Sequence, residues 1–167
     1  GQVVARLDLR TLRAQYNQLK SQKDAAEAGV SVAKANEELA RVGQTRAARE
    51  AAAAALQEKA AVSAHSLAQS EFKRTKSLHD EEISSQAELD SAKDRLTRAE
   101  VARDAAAEQI AIAKTGVAAA KVQLQQAMAN RKLAEAQLAQ LQAGLEAVAV
   151  QLEKAVIKSP KIGRAHV

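Results

Sequence analysis

Apolar residues recur along this chain in alternating steps of three and four, over two long stretches with one interruption near the middle. That spacing is the heptad signature of an α-helical coiled coil. The first stripe runs Leu9, Leu12, Tyr16, Leu19, Lys23, Ala26, Val30, Ala33 and on to His79, and 14 of its 21 positions are apolar. Leu39, Val42, Leu56 and Leu67 lie off it, so the first helix either drifts in phase against a 3.5-residue repeat or buries a second face. The second stripe, from Leu89 through Ala92 and Leu96 to Val148 and Leu152, never misses a step. Arg103 and Arg131 are its only polar members, and they are expected to snorkel or set the register, meeting acidic groups of the first helix. Toward Leu138–Leu152 the stripe becomes rich in leucine, which predicts the firmest packing there.

The interruption spans Arg74–Asp90, RTKSLHDEEISSQAELD. Lys73, Arg74 and Lys76 suit the negative end of a helix dipole. Ser85-Gln86-Ala87-Glu88 reads as a capping box, with Ser85 as N-cap and Glu88 three residues on. Two patterns of nearly equal length joined by a short reversal predict an antiparallel helical hairpin. Its helices are expected over 9–79 and 85–154 with a turn at 80–84, each arm reaching roughly 105 Å. Gly29, Gly43, Gly116 and Gly144 fall inside the helices, where close packing or a slight bend would account for them. Before the first helix, GQVVARLD reads as a short strand with Asp8 as N-cap and a Leu7–Leu12 hydrophobic staple. After the second, Val156-Ile157-Lys158-Ser159-Pro160 is again strand-like. The predicted fold is all-α: a long antiparallel two-helix coiled-coil hairpin with short β-strand stubs at both termini.

Composition narrows the function classes. The 167 residues include one Phe, one Tyr and no Trp, while Ala is the commonest residue, so there is little from which to build a thick globular core. The net charge of +5 is spread along the chain with no basic block and no aromatic interleaving, which argues against nucleic acid as a partner. The absence of cysteine removes disulfides and thiol chemistry. His65 and His79 have no metal-ligand spacing, and no phosphate loop or nucleophile–base constellation stands out. No enzyme activity and no cofactor are expected. A membrane-surface helix would want a broader apolar face with aromatics.

The order of these features resembles the membrane fusion proteins, the HlyD-like periplasmic adaptors of bacterial tripartite efflux and type I secretion systems. In that family a lipoyl-like β domain is split by a helical hairpin. GQVVARLD (residues 1–8) is similar to the end of its first lipoyl half, and the segment 155–160 to the start of the second. The tip resembles the family's channel-contact motif, an Arg, a Leu four later and a Ser seven after that: Arg74, Leu78 and Ser85, followed by Glu88 and Asp90. Reading Ile83-Ser84 as the aliphatic–serine pair shifts the register by one and puts Lys73 and Ser77 at the other two positions. Residues 161–167, KIGRAHV, look like the translation of a sequencing adapter, and nothing is built on them or on His166.

The resemblance implies a tip that docks on a TolC-like outer-membrane channel through Arg74, Leu78, Ile83, Ser84 and Ser85. It also implies side-by-side association of adaptor copies and a bridge to an inner-membrane transporter. Arms of this length look more like those of ABC or major-facilitator systems. The full-length protein would sit in the periplasm, anchored to the inner membrane by a segment outside this chain. The alternative from the residues alone is a free-standing coiled-coil scaffold.

Overall fold

The computed structural model describes the backbone of residues 3–6, 9–154 and 156–158, and the side chains of 9–154. Two long helices packed against each other dominate it: α1, Arg10–Asp80, and α2, Gln86–Lys154. The short strands β1, Val3–Arg6, and β2, Val156–Lys158, run antiparallel, with Arg6 opposite Val156 and an irregularity between Val3 and Ala5. A ladder this short is not a β domain by itself. The staple residue Leu7 and the capping residue Asp8 lie outside the described residues, as do Ser159 and Pro160. The first α1 bond runs from the Arg13 N–H to the Leu9 carbonyl (2.8 Å), which makes Leu9 the N-cap position, one residue later than expected.

The chain divides into two compact units. One holds residues 1–38 and 126–167; the other, residues 39–125, is a helical hairpin containing the turn. In both, the strict heptad stripes coincide with the covered faces. Every one of the 21 stripe positions of the first helix is buried or half-buried, and so is every one of the 19 of the second. Off the stripes only Ala55 and Glu71 on α1 and Glu135, Gly144 and Ala149 on α2 share that status among the described helical residues. α1 therefore keeps its 3.5-residue phase. Neither drift nor burial of a second face occurs: Leu39, Val42, Leu56 and Leu67 remain 72%, 57%, 70% and 62% exposed.

The most deeply covered residues are small: Val30, Ala54, Ala68, Ala92, Ala120 and Val148. Leu138, Leu141, Leu145 and Leu152 are half-buried, and Val148 between them is among the most covered residues. Two helices alone cannot surround a long side chain, whereas the flanks of a close interface cover most of an alanine. The leucines still bury much of their apolar area there, at about 25 cal/mol per Å².

Polar residues on the stripes are accommodated in two ways. Lys23 leans out to Glu27 (2.7 Å), and that hydrogen bond holds its ammonium above the usual lysine range. Arg131 reaches across to Glu37 on α1 and back to Glu135 (2.7 Å) on its own helix. Its guanidinium is consequently pushed above the ordinary value, first by Glu135 and then by Glu37. Glu37 is buried, the only charged side chain among the described residues to be so. Arg103 does not cross to α1; it pairs with Asp104 (2.7 Å) and lies 3.8 Å from Glu100, both on α2. A Cβ at Gly29, Gly43, Gly116 or Gly144 would meet nothing within 4 Å, so close packing does not account for these glycines.

Candidate functional site

The reversal occupies residues 81–85, one residue later than the sequence suggests. Asp80 still belongs to α1, because the next N–H, that of Glu81, bonds the Ser77 carbonyl (3.1 Å). Glu82 then adopts φ 60°, the left-handed conformation. Its N–H bonds the His79 carbonyl (2.9 Å), and the Ile83 N–H bonds the Leu78 carbonyl (2.8 Å). This is a Schellman motif, with Leu78 and Ile83 at the two positions whose apolar side chains usually accompany it. Glycine is the common occupant of the left-handed position because a Cβ there costs about 1–2 kcal/mol.

Directly after it, Ser85 caps α2. Its carbonyl accepts from the Leu89 N–H (3.2 Å), its hydroxyl oxygen accepts from the Glu88 N–H (3.3 Å), and its own N–H donates to Glu88 Oε2 (2.8 Å). The capping box read from the sequence is thus formed in both directions, a device worth about 1 kcal/mol at the N-cap residue. Ser84 closes the turn from inside: its hydroxyl donates to the Thr75 carbonyl (3.3 Å). His79 Nδ1 lies 3.0 Å from the Ser84 carbonyl, which can only accept, so Nδ1 carries the proton of that bond.

Glu82→Gly and Gly116→Ala make a matched pair of expected stabilisations. The first relieves a side chain at positive φ; the second adds helix propensity at a site with open space around it. Each should raise the unfolding free energy by about 0.5–1 kcal/mol, measured by chemical denaturation. A loss of stability in Glu82→Gly would mean that the glutamate side chain has a favourable role in the turn.

With its backbone fixed by these bonds, the turn displays apolar and cationic groups outward. Ile83 is 68% exposed and Leu78 37%. Arg74 and Ser85 are exposed, whereas Ser84 is half-buried. A groove of about 570 Å³ opens here, lined by Arg74, Leu78, Ile83 and Ser84 from the sequence-derived set, and by Glu71 and Arg95 besides. Ser85 does not line it, although Glu88 does. Of the two serines, then, Ser84 faces the groove and Ser85 is occupied in capping. Arg95 was not singled out by the sequence because it follows no motif; its place comes from the reversal, which sets it near Arg74.

Among the described residues no helix is long and apolar enough to cross a membrane, and no cluster of three or more His, Cys, Asp or Glu side chains forms. The chain matches no family model, no curated protein and no solved structure.

Proposed function

We propose that this chain is the coiled-coil hairpin of a periplasmic adaptor in a tripartite efflux or type I secretion system. In this reading the turn at residues 81–85 docks on a TolC-like outer-membrane channel, and the protein bridges that channel to an inner-membrane transporter of ABC or major-facilitator type. The observation that carries it is the tip: a turn pinned by a Schellman motif and a capping box that nevertheless leaves Leu78, Ile83 and Arg74 exposed. The Schellman motif favours apolar residues at positions 78 and 83, and the exposure left on Ile83 makes the pair available to a partner as well. The paired strands β1 and β2 would be the ends of two lipoyl-like halves, with the anchor lying outside this chain.

Side-by-side association of copies draws support from a second pattern in the unit 39–125. Leu39, Val42, Leu56 and Leu67 themselves follow a heptad, rotated about 150° around α1 from the covered stripe. On α2, Val101 (64% exposed), Ile112 (56%) and Val122 (63%) lie on the matching outer face. Leu56 and Ile112 are within two residues of equal distance from Ile83, and so are Leu67 and Val101. Each pair therefore sits level to within about 3 Å. A second copy placed alongside would bring the outer face of its α2 against α1 with apolar residues opposite apolar ones.

The test is a cysteine at Ile83, where substitution disturbs no turn hydrogen bond made by a side chain. Cross-linking in cells should capture an outer-membrane channel, and Arg74→Asp should reduce both the cross-link and export. No channel adduct from Ile83 or Ser84, with export indifferent to Arg74→Asp, would leave the free-standing scaffold as the better account.

A further inference from the structure

Arg74 and Arg95 reach one groove from different helices, and among the described residues neither side chain has a hydrogen-bond or ion-pair partner. Other arginines do find acids, as Arg46 does with Glu50 (2.8 Å) and Arg103 with Asp104. Glu71 lines the same groove yet pairs with neither guanidinium, and Glu88 is engaged with Ser85 through Oε2. Two free guanidinium forks thus flank an apolar patch made by Leu78 and Ile83. Each fork presents planar N–H donors suited to bidentate contact with a carboxylate.

Resting on the tip-docking reading, we propose that the groove takes an acidic side chain of the partner protein, its carboxylate held between Arg74 and Arg95 and a neighbouring aliphatic residue laid against Leu78 and Ile83. Recognition comes from position rather than bulk charge, because Glu71 and Glu88 balance the two cations within the groove. Arg95 is the residue this adds to the docking set.

The probe is a capped tripeptide, acetyl-Leu-Asp-Leu-amide, with its Asn counterpart and inorganic phosphate as comparators. Arginine side-chain N–H resonances of the full chain report binding. The Nε–H signals of Arg74 and Arg95 should shift saturably with the Asp peptide, and the Asn peptide should bind about fivefold more weakly or worse. Arg95→Gln should bring the Asp peptide down to the level of the Asn one. Equal affinities for the two peptides, equal shifts at Arg98 and Arg103, or displacement by phosphate at comparable concentration would each overturn the assignment. Arg95 is exposed, so its substitution leaves the fold intact. The Ile83 cross-link separates the two ideas. Its absence in the parent chain removes docking itself, whereas a cross-link undiminished by Arg95→Glu removes only the acidic-groove assignment.

Discussion

Glutamate at Leu56 and Leu67 together is expected to weaken self-association of the chain by about a hundredfold while leaving its helicity unchanged. Both leucines are mostly exposed within one hairpin, so the single chain has little to lose from the change. Against a neighbouring copy they would each be covered, and burying a leucine side chain contributes about 1.5–3 kcal/mol. Replacing it with a charge adds a desolvation penalty on top of the lost burial. Sedimentation equilibrium reads the association constant and circular dichroism the helix content. Ile112→Glu on α2 should act in the same direction, since it lies on the opposing half of the same contact. An unchanged distribution of species in both variants would show that these outer faces serve some other partner or none.

The second large effect concerns Glu37 and Arg131. Arg131→Ala should lower the thermal midpoint by several degrees, because it takes from the buried Glu37 carboxylate the cation that reaches it across the seam. Replacing both residues by leucine should instead raise the midpoint, as two well-packed apolar residues need no desolvation of charge. The double variant should lose something else. A polar pair at facing seam positions selects one register, and an uninterrupted apolar seam tolerates a slip of a whole heptad. Cysteines placed to cross-link only in the native register would show a lower oxidised fraction in the double variant. A midpoint unaffected by Arg131→Ala would mean that Glu135 and Glu37 are equally well served by water. No pH dependence below about pH 10 is expected from this pair's arginine, whose pKa is raised: its stabilisation is present below the unfolded value and is lost only above it.

The seam was legible because period is a property of spacing alone. Leu89 through Leu152 could be counted off, and every position in that count is covered. On α1 the same count was right, but Leu39, Val42, Leu56 and Leu67 made it look uncertain. A leucine signals burial somewhere, and sequence does not say whether its cover is this chain's own second helix or another molecule. The capping box was legible because Ser85 and Glu88 bond each other locally. The left-handed residue was not, since Glu82 breaks the preference that usually marks such a position with glycine. The Glu37–Arg131 contact joins residues 94 apart in sequence, and only the hairpin register decides which arginine crosses; Arg103 on the same stripe does not. For the same reason Arg95 entered the groove only once the reversal was in three dimensions.

No described side chain is completely enclosed, and those most covered are chiefly alanines and valines. Little hydrocarbon is therefore hydrated anew on unfolding, and the heat-capacity increment scales with that area. It should fall below the roughly 12–15 cal/mol/K per residue of globular domains. With a small increment, the enthalpy of unfolding scarcely changes between cold and warm, and the stability curve becomes a shallow slope in place of a dome. Cooling then has little hydrophobic driving force to take away, and cold denaturation recedes far below the freezing point. A chain held together by alanine-lined contact is one whose stability answers weakly to temperature over the range in which a thick-cored protein passes through its maximum.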